Sequence, residues 1–119
     1  MRMVLAERVP GFDPGGSAQE LNVMAILRRA GIRPLPVPQY RVRVEGHTHF
    51  LDFAWPDTMH AIEFDGFLGH STLTDRHDDR DRWRRLRRAA WTLWPVTERT
   101  SKAEIAAIGV TATEGLDAA

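Results

Sequence analysis

Apolar and polar positions along this chain follow two periods. A helical period fits "SAQELNVMAILRRAG", where Leu21, Met24, Ala25 and Leu27 or Arg28 share one side. Ser17 stands where an N-cap belongs and Gly31 where a helix stops, so a helix is expected between them. "PLPVPQ" interrupts it, because proline removes a backbone donor and fixes φ. In "YRVRVEG" the period falls to two. Tyr40, Val42 and Val44 alternate with Arg41, Arg43 and Glu45, the pattern of a half-exposed strand. A turn at "EGH" pairs it with a strand "FLDFAW", and a turn at "PDT" leads into a third strand, "HAIEFD".

A loop, "GFLGHSTLT", precedes a charged helix expected from about Asp75 to Ala90, with Trp83, Leu86 and Ala90 as its buried stripe. Its acids lie early and its arginines late, an order that complements the helix dipole. "WTLWPV" reads as a last strand, truncated or at a sheet edge because Pro95 cannot donate to a ladder. "SKAEIAAIG" is a short closing helix and "VTATEGLDAA" a frayed tail. The order α-β-β-β-α-β predicts an α/β fold with a mixed sheet flanked by helices. A lead-in over residues 1–16 and a flexible tail over 111–119 bracket one domain at 17–110.

Composition narrows the function classes. With 43% hydrophobic and 27% charged residues the chain is of the soluble globular type. No window approaches the apolar run of about 18 residues that a membrane span needs. Glu7 and Arg8 stand where a secretory segment would be apolar, so a cytoplasmic protein is expected. The absence of cysteine excludes disulfides and thiolate zinc sites. A net charge of zero argues against nucleic-acid binding by overall charge. Local charge differs: seven arginines fall between Arg76 and Arg88. The guanidinium fork suits phosphate, although a GC-rich genome produces the same bias. Arg80, Arg84 and Arg87, at i, i+4 and i+7, share one helix face that could follow a phosphate backbone.

The acids of the central strands carry the candidate chemistry. Alternation puts Leu51, Phe53 and Trp55 on one face and Phe50, Asp52 and Ala54 on the other. It likewise separates Ile62 and Phe64 from Ala61, Glu63 and Asp65. With the apolar faces aligned, Asp52, Glu63 and Asp65 converge, and three clustered carboxylates would raise one another's pKa values. A hard divalent cation resolves that repulsion. A solvated acidic face with no role fits the spacing equally. His70 is a candidate base or a surface histidine, and His47 and His49 read as surface. The four tryptophans, Trp55, Trp83, Trp91 and Trp94, read as core.

The combination "SAQE…AGIRPLPVPQ…LDFAWP…AIEFDG…H…DRDRWRRLRRAAW" resembles a family of small bacterial endonuclease-like domains over roughly residues 17–97. Those domains are related to the very-short-patch-repair endonuclease and so to the PD-(D/E)XK superfamily. The resemblance implies a restriction-endonuclease-like core that hydrolyses DNA with Mg2+ (Mn2+ as a substitute). It puts Asp52 at the motif aspartate, Glu63 at the (D/E) position and the Phe64 carbonyl as a further metal ligand. Asp65 occupies the usual lysine position, a departure shared with the repair-endonuclease branch, where a histidine further on acts as base. His70 has the matching spacing. Glu20 matches an acid of the first helix, yet "SAQE" is also a capping box in which Glu20 would satisfy the Ser17 N–H. The repair enzyme's zinc site and mismatch wedges have no counterpart here. Rival expectations are a nucleic-acid-binding module with a silent site, and a regulatory interaction domain detached from a larger architecture.

Overall fold

The computed structural model describes residues 14–64 and 73–116. Asp65 and His70 lie outside them. Within them the chain forms α1 (Pro14–Arg29), β1 (Val37–Val44), β2 (His47–Trp55), β3 (His60–Phe64), α2 (Leu73–Arg88), β4 (Thr92–Val96) and α3 (Lys102–Thr113). The four strands form one sheet in the order β1-β2-β3-β4. The first two junctions are antiparallel, and β3 and β4 run parallel with α2 as their crossover. This is the expected mixed sheet flanked by helices, with β4 and its Pro95 at an edge.

The β1–β2 hairpin turns on Glu45 (φ 51°) and Gly46 (φ 80°), the two positive values that a type I′ turn requires. Tyr40, Val42 and Val44 are half-buried while Arg41 and Arg43 are exposed, as the alternation predicts. On one sheet face, Phe53, Trp55, Ile62 and Val96 meet Val23, Ile26 and Leu27 of α1 with Ile105 and Ala112 of α3. On the other, Ala54, Ala61 and Leu93 surround Leu86 of α2, closed by Trp91.

Four local expectations change. The buried side of α1 is Val23, Ile26 and Leu27, while Leu21 is 71% exposed. Ser17 lies inside α1, which begins at Pro14, and so does not stand at the N-cap of that helix. The pattern is used later instead. Ser101 accepts from the Glu104 N–H and Glu104 accepts from the Ser101 N–H, and α3 then runs through Thr113, further than expected. Ala90 is exposed beyond the end of α2 with φ 75°, and Ala89 takes its place against the Leu86 cluster.

Candidate active site

Asp52 and Glu63 face each other where the sheet divides. The β2–β3 ladder runs Trp55↔His60, Ala54↔Ala61, Phe53↔Ile62 and ends there. Asp52 and Glu63 are the next residues in that register. Beyond this point β2 stays paired with β1, and β3 with β4. In the notch, side-chain carboxylates take over from backbone carbonyls. The Asp52 N–H donates to Glu63 Oε2 at 2.8 Å. The Phe64 N–H donates to Asp52 Oδ2 at 2.7 Å. Each acid thus anchors the strand opposite its own.

The remaining oxygens are held from two sides. Gln39 Nε2 donates to Asp52 Oδ1 at 3.3 Å, and an Arg82 Nη2–H pairs with Glu63 Oε1 at 2.7 Å. The same Arg82 nitrogen donates to the Phe50 carbonyl at 2.9 Å. A carboxylate offers about four lone-pair sites, so each oxygen keeps acceptor capacity after one bond. Gln39 has φ 50°, and around it the β1–β2 register passes from Pro38↔Phe53 to Tyr40↔Leu51. Strict alternation fails there: Leu51 joins Ala54 and Leu86 on the α2 face, not Phe53 and Trp55.

Electrostatics follow from burial. Glu63 is 7% exposed. Desolvation pushes its carboxyl above the ordinary range, and the neighbouring Asp52 adds to the rise. Arg82 and the Asp52 N–H oppose it. Asp52 is likewise raised by burial, against the Phe64 N–H, the Gln39 amide and the field of Arg82.

The structure brings Asp52, Glu63 and the Phe64 backbone together. Glu20 belongs to α1, and its side chain lies outside the described residues. Among the described residues no group of three or more His, Asp or Glu side chains could hold a metal ion. Arg80, Arg84 and Arg87 are exposed on α2. Arg84 makes a loose pair with Asp81 at 3.7 Å, and the Arg87 guanidinium lies 5.4 Å from the Trp83 ring centre.

Two site residues escaped the sequence reading. Arg82 was one more basic group of a dipole-matched helix end, yet it stands one turn before buried Leu86 and therefore faces the sheet. That i, i+4 spacing was the available signal. Gln39 had none, since its reach to Asp52 depends on the local φ. His49 corrects a further expectation: it is 9% exposed rather than surface, stacked near His47 and receiving Arg85 Nε at 3.4 Å. Burial pushes its imidazole pKa down, and Arg82 and Arg85 add to that. Trp55 and Trp91 are core as expected, while Trp83 and Trp94 are partly buried.

Proteins from two strains of Mycobacterium tuberculosis, both described as uncharacterized, are 32% identical to this chain over 81 residues. The match takes in 67% of this chain, which spans about a third (30%) of the length of those relatives. No family model matches the sequence. No solved structure matches the fold significantly.

Proposed function

We propose that this chain is a metal-dependent endonuclease-like domain that hydrolyses DNA phosphodiester bonds on a restriction-endonuclease-like core. One observation carries the reading: buried Glu63 and half-buried Asp52, from adjacent strands, meet in the notch where β2 and β3 part, each interlocked with the other strand's backbone. Such a pair is costly to hold without a cationic ligand or a chemical task.

The donor set fits a hard divalent ion. Both side chains offer oxygen, and magnesium uses one or two carboxylates with water and phosphate oxygen filling the other positions. Asp52, Glu63 and the Phe64 carbonyl would hold it. Bound there, Mg2+ would polarise the scissile phosphate and lower the pKa of water. Arg82, already beside Glu63, would stabilise charge at phosphorus. His70 would accept the proton, with Asp65 as the next acid of the strand sequence and Glu20 a further candidate. Arg80, Arg84 and Arg87 would neutralise flanking phosphates.

A second reading has its own observation. The 2.7 Å Arg82–Glu63 pair supplies a positive charge from the protein itself, which suits a silent site in a nucleic-acid-binding module. Cleavage of supercoiled and single-stranded DNA, run beside thermal melts with magnesium, manganese or EDTA, separates the two. The hydrolase reading expects metal-dependent cleavage and a metal-induced rise in Tm, both lost in Asp52→Ala. It expects His70→Ala to lose cleavage and keep the rise. DNA binding with neither metal effect would leave the silent module.

A further inference from the structure

We propose that the outer face of the β1–β2 hairpin, formed by Arg41, Arg43 and Phe50, is a stacking platform for single-stranded nucleic acid whose path continues into the Asp52–Glu63 notch. The proposal rests on the nucleic-acid reading above and adds the form of the ligand and where it lies.

The hairpin has two unlike faces. Toward α2 it presents Tyr40, Val42, Val44, His49 and Leu51, all partly or fully buried. Its other face carries Arg41, Arg43, Thr48 and Phe50, all exposed. Arg41 is directly opposite Phe50 in the ladder, and Arg43 opposite Thr48. The Phe50 side chain is 53% exposed, whereas Phe53 and Trp55 of the same strand are each 1% exposed. A lone exposed phenylalanine needs no explanation. Here it shares a face with two arginines, Arg41 directly opposite in the ladder and Arg43 two residues further along β1, and no acid is among these residues. The nearby Glu45 is engaged elsewhere, in a two-pronged pair with Arg88 at 2.8 Å.

That combination sets the ligand's chemistry. Two cations ask for an anionic chain, and an exposed ring on a sheet asks for flat π surfaces to cover it. Nucleic acid has both. In a duplex the base faces are closed against one another, so the aromatic platform selects unpaired bases. Arg43 is already oriented, its Nη1 donating to Thr48 Oγ1 at 3.1 Å.

Position links the platform to the notch. Phe50 precedes Asp52 by two residues, about 7 Å along an extended strand. Arg82 joins them physically by donating to the Phe50 carbonyl while pairing with Glu63. A strand stacked on Phe50 would reach the acids by passing the open end of the β2–β3 ladder, because Arg82 holds Glu63 from the α2 side of the sheet.

The test is fluorescence anisotropy of a labelled oligothymidylate of about 15 nucleotides in EDTA, so that cleavage plays no part. Binding by the wild-type chain, a loss of roughly tenfold in Phe50→Ala and retention in Phe50→Trp are expected. Arg41→Ser with Arg43→Ser should lower the salt slope by about 0.7 for each phosphate contact removed. Equal affinity of the wild type and Phe50→Ala overturns the proposal. So does failure of the wild type to bind the oligomer, and if that preparation still cleaves duplex DNA with magnesium, the hydrolase reading survives alone. A change of sedimentation in Phe50→Ala without a change in oligomer affinity also overturns it, by assigning this face to a second copy of the chain.

Discussion

The backbone N–H of Asp52 donates to the Glu63 carboxylate across the end of the β2–β3 ladder, at 2.8 Å. The contact places Glu63 out of bulk water and Asp52 half out of it, and burial raises the pKa of both. Stability is being spent at a position that could have been apolar, as at functional sites generally.

A first prediction follows from the sign of that shift. A carboxyl whose folded pKa lies above its unfolded value takes up protons more readily in the folded state. Its charge therefore lowers stability as pH rises through that interval, and the penalty persists above it. Asp52→Asn removes the penalty while keeping an acceptor for the Phe64 N–H. Its Tm should exceed the wild type's at neutral pH by an amount equivalent to about 1 kcal/mol. The gain should shrink as pH falls through the raised carboxyl range. Thermal melts from about pH 8 to about pH 4 would show it, and a Tm no higher at any pH would contradict it.

Arg82→Ala should do the opposite. It leaves the buried Glu63 carboxylate without its cation and the Phe50 carbonyl without a donor. Arg82 is 21% exposed at the side chain and Glu63 9%, so solvent screens the pair only in part. A loss of about 2–3 kcal/mol in urea denaturation is expected. In a Glu63→Gln background the same change should cost clearly less, because no charge is then stranded. Additive losses would mean that Arg82 acts through packing of its stem.

Much of the fold was legible because it rests on local chemistry. The period-two run from Tyr40, the glycine turn at Gly46 and the non-donating Pro95 each determine their element almost alone. The α1 stripe was not, because two stripes of similar spacing compete in that sequence. The tertiary core took the expected Leu27, with Met24 packed at its margin, but chose Val23 and Ile26 over Leu21 and Ala25. Two S-x-x-E patterns likewise competed, and only Ser101–Glu104 stands at a helix start. In the candidate site, opposing Asp52 and Glu63 followed from parity. That parity fails at the adjacent Leu51 and at Gln39, across the β1–β2 ladder from Asp52, shows how little margin the argument had. Arg82 was hidden by its neighbours, since one guanidinium among seven in a short run is not distinguished by composition.

Gly109 tests the packing that supports the sheet from the α1–α3 side. A Cβ built there would lie 2.9 Å from Ile32 Cγ1 and from Leu27 Cδ2, both on buried side chains. Alanine is a better helix former than glycine by about 1 kcal/mol. Overpacking a filled core costs about 1–3 kcal/mol, so the clash should prevail. Gly109→Ala should lower the urea midpoint with little change in m-value. A raised midpoint would mean that Leu27 and Ile32 have room to move.

The exposed arginines of α2 give the most direct test of a DNA partner. Arg80, Arg84 and Arg87 share a face away from the sheet, and their described contacts, a 3.7 Å pair with Asp81 and the Trp83 ring, are weak ones. Replacing all three with alanine should change folding stability by about 1 kcal/mol at most. If they line a duplex, affinity should fall and the slope of log K against log salt should flatten by about 2–3. Arg88→Ala is the control, because it removes the same charge from the same helix at a side chain already engaged by Glu45. Net charge alone would make each arginine equivalent, so Arg88→Ala would then match a third of the triple effect. A specific phosphate track predicts a much smaller loss for Arg88→Ala than that. Titrations of duplex DNA at several salt concentrations distinguish the two, and a triple variant that binds like the wild type would leave these arginines a solvated face.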